Sequence, residues 1–328
     1  MTAAGPAISD IQAVRQRLSE ETTLTPVLRC AAIEKAIGGD TEVFAKLEFL
    51  QRTGTFKARG ALATLYALSP EQLAAGVTAV SAGNHAIATA YAAAAVGTTA
   101  KVVMMRSANP SRVAACQAYG ADVVFADDVH QAFEIAERIQ NDEGCYLVHP
   151  FEGPAVTLGT GTVGLEICEQ CTDFDAIIIP VGGGGLIAGI ANAVKRLRPD
   201  CEVIGVEPEG ADTMHRSLAS GEPMKIDRVR TIADSLGAPF ALPYSFGLCQ
   251  MHVDRLALVD DMQLRRAMGF LFRAMKIAVE PACAASTAAL FGPLRGELTG
   301  KRVVLVMCGS NIDWATFEQQ AVFDEDTD

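Results

Sequence analysis

One stretch narrows the fold more than any other: Asp175-Ala176-Ile177-Ile178-Ile179-Pro180 runs through Val181 into four consecutive glycines, Gly182, Gly183, Gly184 and Gly185, and resumes as an apolar helical stretch over 186–197. A short apolar run closed by glycine reads as a buried strand. Strand, glycine turn and helix in succession make a phosphate cradle, because glycines let consecutive backbone N–H groups converge on an anion and the helix N-terminus adds partial positive charge. No Lys-Ser/Thr pair follows the glycines, so the nucleoside-triphosphate pattern is excluded. Further strands at 102–105, 123–125, 203–206 and 303–307 alternate with alanine-rich helices, which predicts open, twisted parallel sheets flanked by helices on both faces. The chain has 328 residues, 50% of them hydrophobic, enough for two domains or one large α/β unit.

Thr53-Gly54-Thr55-Phe56-Lys57-Ala58-Arg59-Gly60 puts a lysine at the head of a helix expected over 57–67, with Thr55 as its N-cap. A cation in a first helical turn opposes the helix dipole, which helps to lower its pKa. An unprotonated lysine is a nucleophile, and its usual electrophile is an aldehyde or ketone. Ser81-Ala82-Gly83-Asn84-His85-Ala86 opens a second helix, over 86–96, and sets the Asn84 amide at a strand-to-helix turn. Cys308-Gly309-Ser310-Asn311 ends a further strand. In open parallel sheets ligands bind at that edge.

Together with Lys46-x-Glu48-x-x-Gln51 and Glu280-Pro281-Ala282, these segments come in the order and spacing of the pyridoxal-phosphate threonine/serine dehydratases, and the chain resembles that family over about residues 23–314. Serine racemase belongs to the same fold-type II group, whose fold is of the tryptophan synthase beta kind. The resemblance implies a pyridoxal 5′-phosphate lyase in two domains, with 1–74 and 147–328 forming the large cofactor-binding domain and 75–146 a small lid. Lys57 matches the lysine that carries the cofactor as a Schiff base and later moves the substrate's Cα proton. Phe56 matches the ring packed beside the cofactor, Asn84 the amide on its 3′-oxygen, and Gly182, Gly183, Gly184 and Gly185 the phosphate loop. Ser81, Gly83, Asn84 and His85 match the grip on the substrate carboxylate. Glu280 lies in the segment lining the cofactor ring, and Cys308 stands where the family has a serine on the pyridine nitrogen.

Departures from the family pattern refine the expectation. Ala82 replaces a serine that in serine racemases protonates the face opposite the lysine, so this chain resembles an eliminase. Cys308 keeps a weak neutral partner for the ring nitrogen, which suits β-elimination better than transamination. Glu207 and Ala211 match two ligands of a cation site, divalent or monovalent, but Thr213 stands where the third, an aspartate, is expected and Asp212 comes one residue early. Leu158-Gly159-Thr160-Gly161-Thr162 replaces Ala-Gly-Gln-Gly-Thr, a change expected to bear on the substrate pocket.

A net charge of −12 without a basic run argues against nucleic acid and anionic membranes as partners. Nothing reads as a signal peptide or membrane span, so a cytoplasmic enzyme is expected, and a homodimer. Nine irregularly spaced cysteines read as reduced core residues, the Cys168-Glu169-Gln170-Cys171 pair included. His130, His215 and His252 read as surface or packing residues, the end from 323 to 328 as a solvated acidic tail, and no regulatory domain is expected after Trp314. Dehydration of L-threonine or L-serine to a 2-oxo acid and ammonia is the leading expectation. A phenyl- or carboxyl-bearing β-hydroxy amino acid fits the motifs equally, and β-replacement and racemisation are neighbouring activities. Gly183-x-Gly185-x-x-x-Gly189 with Glu207 keeps open a nicotinamide-dependent oxidoreductase, and a silent amino-acid sensor is a third reading.

Overall fold

A computed structural model describes residues 5–323; beyond Phe323 the expected acidic tail lies outside the described residues. Its strands are β1 (Val27–Arg29), β2 (Glu42–Leu47), β3 (Val77–Val80), β4 (Ala100–Met105), β5 (Asp122–Ala126), β6 (Tyr146–Leu147), β7 (Ala176–Pro180), β8 (Glu202–Pro208), β9 (Arg255–Val259) and β10 (Arg302–Met307). They form a six-stranded sheet in the order β1-β2-β10-β7-β8-β9 and a four-stranded sheet in the order β5-β4-β3-β6. Every pairing is parallel except β1 with β2. Ile177, Ile178 and Ile179 of β7, like Val303 to Val306 of β10, are wholly buried. Helices cover both faces of a parallel sheet, and that is why these runs are continuously apolar rather than alternating.

The strands expected at 102–105, 123–125, 177–180, 203–206 and 303–307 all lie within β4, β5, β7, β8 and β10. β1, β2, β6 and β9 are strands that the sequence pattern alone does not show. Lys46 interrupts the apolar pattern of β2 yet is fully buried, because its charge is paired. β9 is an edge strand and only half-buried, so its apolar signal is weaker.

Two cores result. One surrounds the six-stranded sheet. The other joins β3 and β4 to the alanine-rich helix Asn84–Val96 and takes in Ala61, Leu62, Ala63 and Leu65 from the helix Lys57–Tyr66. The lysine-bearing helix therefore packs against the Asn84–Val96 helix on one side and the helix Pro154–Gln170 on the other. The C-terminal ends of β3, β7 and β10 meet around Lys57, where an open parallel sheet places its ligand site.

Candidate active site

Lys57 is the first residue of its helix and Phe56 holds the N-cap position. Thr55, expected there, acts from one residue earlier: its Oγ1 accepts the Lys57 backbone N–H at 3.2 Å. The turn is pinned to the end of β10, where the Phe56 N–H donates to the Cys308 carbonyl at 3.2 Å. Lys57 Nζ donates to the Pro150 carbonyl at 2.6 Å and lies 5.3 Å from the centre of the Phe56 ring. The side chain keeps partial exposure to the cleft, and the protein around the amine still desolvates it. Burial pulls its pKa down to about 8, against the opposing pull of Cys308 and Glu280.

Gly182 to Gly185 cross from β7 to the helix Gly185–Leu197. Gly184 has φ +90°, where a side chain is strained. Gly183 and Gly185 are required by space: a Cβ would sit 2.3 Å from the Phe151 ring at the first and 2.5 Å from the Phe151 carbonyl oxygen at the second. The turn is thus pressed onto Phe151, and with it lines a cavity of about 460 Å³, mouth included, reached by Lys57, Phe56, Asn84, Glu280 and Cys308. That donor set fits pyridoxal phosphate. Backbone N–H groups at a helix N-terminus suit its phosphate, and a flat ring has the Asn84 amide and a neutral thiol within the same walls.

Asn84 heads its helix and is buried. Its Nδ2 donates to both Glu280 carboxylate oxygens, at 2.8 and 3.0 Å. Its Oδ1 accepts from Asn311 Nδ2 at 2.8 Å, and the same Asn311 nitrogen also donates to the Thr53 carbonyl at 2.8 Å. Asn311 therefore fixes which end of the Asn84 amide donates. Burial pushes the Glu280 carboxyl up to about 7, against the Asn84 bond and Arg112. The Cys308 thiol is also pushed up, by its bond with Cys283 and by burial, so it is neutral.

At the end of β3, Ser81 Oγ accepts the Gly83 N–H at 3.1 Å. The His85 ring is engaged elsewhere, with Nε2 2.8 Å from the Val148 carbonyl, and burial pulls it down to about 3, so it is neutral. The connector after β6 supplies partners the sequence reading had not assigned. Pro150 seats the lysine and Phe151 carries the glycine turn. His149 Nδ1 accepts the N–H groups of Phe151 and Glu152 at 3.3 and 3.0 Å, which folds the connector. Glu152 caps the helix Pro243–His252 through Tyr244 N–H and Ser245 N–H. The readable signal was the His149-Pro150 pair: a residue before proline is extended, which places this connector at a strand's C-terminal end.

Arg112 crosses from the helix Pro110–Ala118, on the four-stranded side, to Asp234 at 2.6 Å and to the Asn311 carbonyl at 3.2 Å. Nothing in its local sequence separates it from a surface arginine. Behind Lys57 lies a buried ionic quartet. Lys46 and Arg59 each reach Glu166 at 2.6 Å, and Arg59 Nε reaches Glu48 at 2.8 Å. Two positive and two negative side chains, all dry, tie β2 and the helix Pro154–Gln170 to the lysine helix.

Thr160 is buried and bonds the Gly185 carbonyl at 2.8 Å, so it links two helices and lines a small cavity on the lysine's side. Glu207 receives the N–H groups of Met214 and His215 at 2.8 and 2.7 Å, with Ala211 buried in the adjoining turn. Burial pushes the Glu207 carboxyl up to about 8, although both N–H groups pull it down. Asp212 pairs with Arg216, and Thr213 Oγ1 donates to the Ala238 carbonyl at 2.6 Å. Among the described residues no group of three or more His, Cys, Asp or Glu could hold a metal ion. All nine cysteines, Cys168 and Cys171 among them, are buried free thiols. No helix of the described residues is long and apolar enough to cross a membrane.

Residues 18–309 match the family model described as pyridoxal-phosphate dependent enzyme. The chain is 53% identical over 312 residues to phenylserine dehydratase from Ralstonia pickettii, covering 95% of each. It is 36% identical to L-threonine ammonia-lyase from Thermotoga maritima, over 93% of this chain and 76% of that one. The structure of maize serine racemase superposes with a TM-score of 0.91 at 33% identity, covering 96% of both chains.

Proposed function

Because this chain belongs to the family of pyridoxal-phosphate dependent enzymes, we propose that the β-hydroxy-α-amino acid from which it eliminates water carries an aryl group on Cβ. The observation that carries this substrate reading is the 53% identity to phenylserine dehydratase across 95% of both chains. L-threonine and L-serine form the second reading, which the 36% identical threonine ammonia-lyase favours.

When bound, pyridoxal phosphate supplies a carbonyl that condenses with amines and a conjugated ring that withdraws electrons from the substrate's Cα. Lys57 would hold it covalently, the turn from Gly182 to Gly185 its phosphate, Asn84 its ring oxygen, and Cys308 its ring nitrogen. The Lys57 amine, seated at Pro150 and lowered to about 8, is poised to take the Cα proton. Ser81 and the first N–H groups of the Asn84–Val96 helix suit the substrate carboxylate. Ala82 lacks a transferable proton, which supports elimination over inversion at Cα. Removal of the Cα proton and the Cβ hydroxide leaves an unsaturated amine, and its tautomerisation and hydrolysis give a 2-oxo acid and ammonia.

The test is release of 2-oxo acid from phenylserine, threonine, serine and hydroxyaspartate in each configuration. A kcat/KM for one phenylserine isomer at least about tenfold above that for threonine, the discrimination one apolar group supplies, is expected. A larger value for threonine or serine would replace the aryl reading with the second.

A further inference from the structure

A second cavity adjoins the site between the two sheets. It shares Glu280 with the cofactor cavity and encloses about 920 Å³, its open mouth included. Ala82, Met105 and Ala108 from the four-stranded side and Ile232, Pro281 and Ile312 from the other give it facing apolar patches, set in a lining whose other side chains, Asn109, Thr231, Asp234, Glu280 and Asp313 among them, are polar or charged. Arg112 stands in the same lining with its guanidinium braced by Asp234 at 2.6 Å and by the Asn311 carbonyl.

The four groups on a substrate's Cα have limited room. The amine goes to the cofactor cavity, the hydrogen faces Lys57 and the carboxylate goes to the turn after β3, which leaves Cβ. On the lysine's side the space is small, about 270 Å³ with its mouth, and is walled by Phe56, Pro150, Val156 and two neutral imidazoles, His85 and His149. The cleft past Ala82 is the roomier direction.

We infer that this cleft receives the substituent on Cβ and that its facing apolar patches, Ala82 among them, select an aryl group; the inference rests on the aryl reading above. Burying one aromatic ring between such patches raises affinity by about 10- to 100-fold over a methyl group. The Arg112 guanidinium offers a cation to the ring face. A hydroxyl in place of the Ala82 methyl would meet the ring as a desolvated polar group.

The test uses the holoenzyme with phenylalanine and alanine, which carry no Cβ leaving group, and reads their dissociation constants by calorimetry. Wild type should bind phenylalanine about 10- to 100-fold more tightly than alanine. Ile312→Asp and Ile232→Asp, which put a charge into the apolar patch, should remove most of that preference and leave alanine binding within about twofold, as expected for a contact made only by the ring. Ala108→Phe, which fills the cleft without a charge, should do the same where an aspartate variant fails to fold. Equal weakening of both ligands, or an unchanged preference in the folded variants, would overturn the subsite. Phenylserine turnover by wild type reads the substrate class separately. Absent turnover with an intact, wall-dependent phenylalanine preference removes the aryl reading alone, whereas turnover with a wall-independent preference removes the subsite alone.

Discussion

Two strand-to-helix turns face each other across Lys57, and they are built on opposite principles. The turn after β7 is held by packing: no methyl fits at Gly183 or Gly185 against Phe151, and Gly184 is left-handed. The turn after β3 is held by side chains. Ser81 bonds Gly83, Asn84 bonds Glu280 and Asn311, and the nearest obstacle to a Cβ on Gly83 is a guanidinium nitrogen of Arg112, at 3.1 Å. A backbone cradle can bind only what fits its N–H groups, so it suits an invariant phosphate. A turn held by side chains can be retuned one residue at a time, so it suits a substrate.

The largest expected effect separates the lysine from both turns. Lys57→Ala should lower turnover by at least about 10³-fold, the scale of a lost acid–base group, while the glycine turn still retains cofactor measurable by absorbance. Wild-type turnover in that variant would break the assignment. Next, Gly183→Ala should cost about 5- to 150-fold in cofactor affinity, because overpacking against a ring costs about 1–3 kcal/mol; equilibrium dialysis at equal folded fraction reads it, and unchanged affinity would show that the cradle is not tight. Capture of cofactor by the apoprotein should also depend on pH. The nucleophile is the unprotonated amine, whose pKa is lowered to about 8, so the rate should rise about tenfold per unit below that value and level off above it. A rate flat from pH 6.5 to 8.5 would contradict the lowered pKa.

Two smaller effects belong to the retunable turn. Ala82→Ser should let a folded enzyme form more D-amino acid from L-serine by a few-fold relative to 2-oxo acid, since a positioned proton donor can contribute up to about 10²-fold or more when well aligned. Chiral chromatography reads the ratio, and substantial D-serine from wild type would mean that another group already protonates that face. Gly83→Ala should change kcat/KM less than about threefold, because its Cβ would stand 3.1 Å from one guanidinium nitrogen, which has to give by only a few tenths of an ångström, rather than 2.3 Å from a ring. A loss as large as that of Gly183→Ala would erase the contrast between the turns.

The sequence was most readable where local chemistry leaves no choice. Four glycines between a buried strand and an apolar helix admit few geometries, and Lys57 is placed by its own turn. Thr55 was read one residue out of place because a hydroxyl can cap from the neighbouring position. Phe151 and Gly183 are far apart in the chain, and nothing in either segment states that they touch. Arg112 looks like any surface arginine until Asp234 and Asn311 arrive from the other sheet. Lys46 hid β2 because its charge argues against burial unless Glu166 is already known to be its partner. Thr160 joins two helices and also lines the small cavity beside Lys57, a pairing that its own segment does not announce.

The quartet of Lys46, Glu48, Arg59 and Glu166 also bears on how such a chain can change over generations. Removing any one member strands a partner charge in a dry interior, at a cost of about 3–5 kcal/mol, a large part of a typical domain's stability. Single substitutions there are dead ends, and only paired replacements could pass. Ala82 and the apolar side chains of the cleft are under no such lock. Descendants of this chain can therefore wander in the amino acids they accept while the lysine's foundation stays where it was inherited.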